Sequence, residues 1–250
     1  WSQADIVGPE GEDWRVPVSE LEARLSLLSD LLAKAGIGGA IIQHPVDLYY
    51  YAGGRQNGSL FVPATGTSAT CESGGDGPTF FVRRSLSRAI FEAGGDNAPL
   101  KLCNFPSMNG FAQHLKDMGA EGSIGLQQGE IPASLYKFFN EKLSLFGDCP
   151  DVTSIIYGQR EVKSAWEIEM LEAGADIQLK MFDAVKEVGC EGITELELVA
   201  AAEAVSRAEG YGGSVQMRRF PMQCDRGVIV AGRAGGIPSF FDSALGGVGA

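Results

Sequence analysis

Residues Val16 to Ile42 read VPVSELEARLSLLSDLLAKAGIGGAII, and this stretch decides the fold class. Val18, Leu21, Leu25, Leu28 and Leu32 recur at three or four residues, forming one apolar stripe along a helix. Ser19, with Glu22 three residues on, fits a capping box and is expected to start that helix. Gly36, Gly38 and Gly39 end it, because glycine accepts the left-handed turn that follows a helix. Ala40-Ile41-Ile42 then reads as a short buried strand. A helix, a glycine turn and a buried strand together are the building unit of a layered α/β domain.

The alternation continues downstream. Leu60-Phe61-Val62, Thr79-Phe80-Phe81-Val82, Leu100-Lys101-Leu102 and Ser123-Ile124-Gly125-Leu126 suit strands. Residues 86–92, 111–118 and 132–145 suit helices, the last with Pro132 in its first turn, where a missing N–H costs nothing. The polar run from Ala64 to Gly77 is expected to be a solvated connection. No glycine-rich phosphate loop follows any of these strands, so nucleotide binding has nothing to rest on.

Charge narrows the function classes further. The 250 residues carry 20 Lys and Arg against 32 Asp and Glu, a net −12, which excludes tracking of a phosphate backbone and polybasic contact with a membrane. No apolar run approaches the roughly 18–20 residues of a membrane span. The first residues, from Trp1, lack the basic flank and apolar core of a secretory signal, so a cytoplasmic location is expected. Cys71, Cys103, Cys149, Cys190 and Cys224 form neither a C-x-x-C nor a dense framework and are expected as free thiols. His44 and His114 are the whole histidine complement, which excludes H-E-x-x-H chemistry.

Texture changes after the turn Gly147-Asp148-Cys149-Pro150-Asp151. From Ser164 to Val188 the chain reads as one helix, with Trp166, Met170, Ala173, Ile177, Met181, Ala184 and Val188 expected as a wide buried stripe. Gly189 and Gly192 end it. Thr194 with Glu197 is a second capping box, opening a helix to about Glu209 and making an αα-hairpin. Ser214 to Met217 and Gly227 to Val230 suit strands, a thin set for an independent core.

Several of these segments, in order, resemble the creatinase / aminopeptidase P / prolidase family. Val16-Pro17 with Glu20, Leu21 and Arg24 is similar to its opening helix. Pro45-Val46-Asp47-Leu48-Tyr49-Tyr50-Tyr51-Ala52-Gly53 resembles its P-x-N-x-x-Y-x-[ST]-G turn, with Asp47 where Asn is commoner and Ala52 where Thr or Ser is usual. Arg160-Glu161-Val162-Lys163-Ser164 with Glu167-Ile168 resembles the R-x-x-K-S-x-x-E-I entrance to its catalytic half. Gly192-Ile193-Thr194-Glu195-Leu196-Glu197-Leu198 resembles its G-x-T-E-x-E-L helix start. Val228 to Gly232 and Ile237-Pro238-Ser239-Phe240-Phe241-Asp242 are similar to the strand and loop that lead towards its active site.

The resemblance implies a creatinase-like N-terminal α/β domain over 1–155, followed by a truncated α+β pita-bread domain over 156–250. It implies that the intact protein is a dinuclear metallopeptidase, an Xaa-Pro dipeptidase or aminopeptidase P-like hydrolase. Two divalent ions (Mn, Co or Zn) would lower the pKa of a water and polarise the scissile carbonyl of an X–Pro bond. The family's ligands, two Asp, one His and two Glu, lie downstream of the matched segments. No catalytic residue and no metal ligand is therefore expected within this chain, which is expected to be inactive alone. The substrate would be a short proline-containing peptide, or another C–N bond as in creatinase, and the assembly a homodimer.

Three positions carry site expectations. Ser239 stands where many relatives have His, so it either orients substrate or caps a turn, and it cannot titrate near neutrality. Arg218 either faces a substrate carboxylate or makes a salt bridge. Tyr51, one of three consecutive tyrosines read as strand residues of which at least one must be exposed, either reaches a neighbouring subunit's site or packs at a domain interface. The alternative to a peptidase is a non-catalytic relative whose α/β domain serves oligomerisation or partner binding.

Overall fold

The α1 helix (Val18–Lys34) lays Leu21, Leu25, Leu28 and Leu32 against the interior, as the stripe requires. It starts before the expected Ser19 cap. Pro17 is the N-cap, its carbonyl accepts from the Glu20 and Leu21 amides, and no side chain caps the helix. The reason is local: Val16 is buried, and the extended Pro17 turns the chain into the helix two residues early.

The computed structural model describes residues 13, 15–70, 74–213 and 229–237. The chain divides into two compact units, Trp1–Val162 and Lys163–Ala250. After α1 the first unit holds β1 (Gly39–Ile42), α2 (Pro45–Ala52), β2 (Gly58–Pro63), β3 (Thr79–Val82) and α3 (Leu86–Glu92). It continues with β4 (Lys101–Asn104), α4 (Phe111–Asp117), β5 (Ile124–Leu126), α5 (Ala133–Lys142) and α6 (Thr153–Glu161). The five strands form one mixed sheet in the order β4-β3-β2-β1-β5. β1–β2 and β2–β3 are antiparallel, while β3–β4 and β1–β5 are parallel. The register sets Ile41 opposite Phe61 and Leu60 opposite Phe80.

Period-two alternation sorts the strands into two cores. Ala40, Ile42, Leu60, Val62, Phe80 and Val82 pack on one face with Leu25, Leu28 and Leu32 of α1 and Ile156 of α6. Ile41, Phe61 and Phe81 pack on the other with Phe111 and Leu115 of α4 and Phe139 of α5. Helices cover both faces, so strand residues read as continuous apolar runs. The edge-to-face pair Phe81–Phe111, with centroids 5.3 Å apart, sits inside the second core.

Two helices differ from the sequence reading. Pro45–Ala52 is a helix rather than a turn or strand, with Pro45 in its first turn and Gly53 at φ 71° closing it. Tyr50 and Tyr51 are consequently buried and Tyr49 exposed, a helical and not an alternating pattern. Helix α6 falls where none was expected. The excursion after β2 is also less solvated than its composition suggests, since Ala69 is fully buried and its carbonyl accepts from the Gly77 amide.

The second unit contains α7 (Ala165–Val188), α8 (Glu195–Ala208) and a single turn α9 (Gly232–Gly235). Both long helices open with complete capping boxes, Ser164 with Glu167 and Thr194 with Glu197. The expected buried stripe of α7 is not found: no residue of that helix is buried, and Met170 and Val188 are exposed. Amphipathicity specifies what a helix can bury, and among the described residues α8 packs on α7 and covers only part of it. The strand expected over 214–217 lies outside the described residues, as do Gly227 and Val228; Ile229 and Val230 carry no strand. Among the described residues no helix is long and apolar enough to cross a membrane.

Candidate functional site

The most constrained polar assembly lies where β1 and β5, running parallel, both end. Beyond Ile42 the chain leaves the ladder, and its next two amides, Gln43 and His44, donate to Gln127 Oε1 at 2.8 and 3.1 Å. Gln127 follows β5 directly, and its Nε2 donates to Asp47 Oδ2 at 2.5 Å. One carboxamide thereby ties the ends of two strands to the start of α2. Asp47 is fully buried in the first turn of α2, where the helix dipole favours a carboxylate. Its other oxygen accepts from Arg160 Nη1 at 2.7 Å, from the last turn of α6.

A second layer surrounds this pair. The Arg160 and Arg24 guanidiniums lie 5.2 and 4.1 Å from the centroid of Tyr50. Buried Arg24 donates from Nη1 to the Tyr50 carbonyl at 3.0 Å and pairs with Glu20 at 3.3 Å. Tyr51 donates its hydroxyl hydrogen to Gln159 Oε1 at 2.8 Å, and Gln159 Nε2 donates to the Arg24 carbonyl at 2.8 Å. His44 stands between carboxylates, its Nδ1 3.5 Å from Asp47 Oδ2 and its Nε2 3.7 Å from Glu130 Oε2. The Tyr157 hydroxyl donates to Glu130 as well.

Chemically this is a clamp. Burying Asp47 costs several kcal/mol of desolvation, of the order ~5, and only complete pairing offsets that. The pairing joins α1, α2, α6 and the segment after β5. The described thiols Cys103 and Cys149 are not activated as nucleophiles. Burial pushes the Cys149 thiol up to about 11, with Asp148 adding to the effect, and raises Cys103 as well.

Of the expected site residues, Tyr51 is fully buried with its hydroxyl committed to Gln159. Ser239 and Arg218 lie outside the described residues. Among the described residues no group of three or more His, Cys, Asp or Glu could hold a metal ion. The described donors thus do not fit a two-metal centre. Sequence reading picked out both ends of the clamp, Asp47 and Arg160, but in separate motifs 113 positions apart; no local signal pairs them.

Comparison with known proteins bears on this arrangement. The profile of the Creatinase/Prolidase N-terminal domain matches residues 24–162, which takes in the whole clamp except Glu20. No curated protein sequence matches the chain. Among solved structures, an Xaa-Pro dipeptidase from Bacillus anthracis is similar at 18% identity and TM-score 0.62, over 78% of this chain and 50% of that one. A dipeptidase from Mycobacterium ulcerans is similar at 22% identity and TM-score 0.60, over 79% and 52%. Zn-substituted aminopeptidase P from E. coli, in complex with product, is similar at 18% and 0.59, over 78% and 50%. At these identities the likeness is one of fold, and the chain spans about half the length of these three structures.

Proposed function

Because the chain belongs to the Creatinase/Prolidase N-terminal domain family, we propose that it is the N-terminal portion of a metal-dependent Xaa-Pro dipeptidase or aminopeptidase. The family match over 24–162 carries this reading, and the fold likeness to dipeptidases and an aminopeptidase P supports it. The substrate is a short peptide with an X–Pro bond. Two divalent ions (Mn, Co or Zn), held by residues other than the described ones, would supply the activated water; the Zn-substituted neighbour supports such ions in the family. Ser239 and Arg218 contact the substrate, the assembly is a homodimer, and the location is the cytoplasm.

Arg160 is held by buried Asp47 two residues before the first unit ends at Val162, so the clamp secures the last helix of that unit. The test compares the product of the full coding sequence with the 250-residue chain on X–Pro dipeptides and on proline-free controls, with Mn²⁺, Co²⁺ or Zn²⁺. Metal-dependent, proline-selective cleavage by the former and none by the latter is expected. A coding sequence lacking the D-x-G…D, His, Glu and Glu set overturns the peptidase reading and favours a binding role for the α/β domain.

A further inference from the structure

Asparagine followed by glycine is a chemically labile pair. The glycine amide nitrogen can attack the asparagine Cγ, because no Cβ stands in its way. The chain has five asparagines, and two precede glycine: Asn57-Gly58 and Asn109-Gly110. Both asparagines are exposed, so exposure does not separate them. Their hydrogen bonding does.

Asn57 stands immediately before β2. Its carbonyl accepts from the Arg83 amide at 2.8 Å, which places a hydrogen-bonded pair at the open end of the β2–β3 ladder. Antiparallel pairs alternate, so the next pair, Gly58 with Val82, is not hydrogen-bonded, and the Gly58 amide points away from β3. On that side β1 ends at Ile42, opposite Leu60, and the Gln43 and His44 amides beyond it turn to Gln127. Among the described residues no strand carbonyl therefore accepts from the attacking nitrogen. Packing nonetheless requires glycine at this position, since a Cβ at 58 would stand 2.3 Å from the Phe81 carbonyl oxygen.

Asn109-Gly110 lies in the short 3-10 turn Met108–Gly110 that leads into α4. The Gly110 amide donates to the Ser107 carbonyl at 3.1 Å, and Asn109 Oδ1 accepts from Lys142 Nζ at 3.3 Å. Attack there has to break the first bond and draw the side chain away from the second. At Asn57 the Arg83 bond holds the carbonyl rather than the attacking nitrogen, and it lies at the end of a ladder, where pairing opens first.

We propose that Asn57 is a site of spontaneous deamidation in the folded protein, and that Asn109 is protected by its turn. Hydroxide takes the Gly58 amide proton, the nitrogen bonds to Asn57 Cγ, and the bond from Cγ to the side-chain nitrogen breaks. That nitrogen takes a proton from water and leaves as ammonia, and a cyclic imide remains. Water then opens the imide at one of its two carbonyls. Breaking the new bond gives an aspartate at position 57, which adds a carboxylate to a segment flanked by exposed Arg55 and paired with exposed Arg83. Breaking the original peptide bond gives an isoaspartate, whose main chain is one methylene longer. It cannot keep both the Arg83 hydrogen bond and the pairing of Gly58 with Val82.

The test incubates the 250-residue chain at pH 8 and 37 °C and follows its tryptic peptides by mass spectrometry. Asn57 falls in peptide 56–83 and Asn109 in peptide 102–116, where fragment ions distinguish it from Asn104. Conversion to the acid and iso-acid is expected to run about fivefold faster or more at Asn57, the factor that one net hydrogen bond supplies. In 8 M urea the two rates are expected to converge, because neither dipeptide is then restrained. Asn57→Gln is expected to abolish the change in peptide 56–83. Equal rates in the folded chain, or faster conversion at Asn109, overturn the proposal. So does a gap that survives in urea, which traces to sequence and not to the fold.

Discussion

The two units carry similar amphipathic helices and use them differently. In the first, α1 buries four of its stripe leucines completely or nearly so against the sheet. In the second, α7 is longer, has an equally regular stripe, and buries none of its residues. Capping and periodicity therefore specify the helix in both cases, while burial depends on what the rest of the unit brings to it. The first unit has a five-stranded sheet to pack on, and among its described residues the second offers α7 only α8 and a single turn.

Large-to-small substitution should separate the units most sharply. Phe81→Ala, in the middle of the second core, is expected to cost about 4 kcal/mol, whereas Phe182→Ala on α7 should cost under ~0.5 kcal/mol. Urea unfolding followed by far-UV circular dichroism measures both, and equal losses would dissolve the contrast. The clamp comes next. Asp47→Ala strips Arg160 and Gln127 of a shared acceptor and is expected to destabilise by about 3 kcal/mol, while Asp47→Asn retains an acceptor oxygen and loses less.

Capping is where the second unit should be more sensitive. Ser164→Ala and Thr194→Ala each remove a completed box and are expected to cost about 1 kcal/mol of local helix stability, read by amide exchange at the start of α7 and α8. Ser19→Ala, by contrast, should be near neutral, because Ser19 lies inside α1 and caps nothing.

Titration gives the smallest effects, of opposite sign in the two units. Hydrogen bonds from the Thr194 amide and hydroxyl hold Glu197 below its ordinary 4.5, so its support for α8 is present above that value and is lost as the pH falls through the lower folded one. Cys149 behaves conversely: with its thiol raised to about 11, its contribution is complete below the ordinary value of 9.0 and declines as the pH rises towards 11. Site-resolved alkylation at pH 8 should accordingly modify exposed Cys190 well before buried Cys149.

Much of the architecture could be read from local pattern. The strand over 79–82 and the helix over 86–92 lie where apolar runs and turn residues put them. Helix α2 carried its own signals, Pro45 at the first turn and Gly53 after the last, but three tyrosines of high strand propensity outweighed them. Tertiary context reversed that preference by burying Tyr50 and Tyr51 on a helical face. The clamp was legible only as parts. Asp47 and Arg160 each sit in a recognisable motif, yet their union depends on α6 folding back across the sheet, and Gln127 belongs to neither motif.

The position of Gln127 also orders events during synthesis. Strands β1 to β4 pair with neighbours close in the sequence, so they can associate while the chain is still emerging from the ribosome. Strand β5, which pairs with β1, and Gln127 behind it arrive some 80 residues after Asp47, and Arg160 arrives 113 residues after it. Until then the buried carboxylate has neither of these partners, and α2 is held by the bond from Arg24 to the Tyr50 carbonyl and by its apolar packing. The clamp is thus completed only once the last helix of the unit has been made.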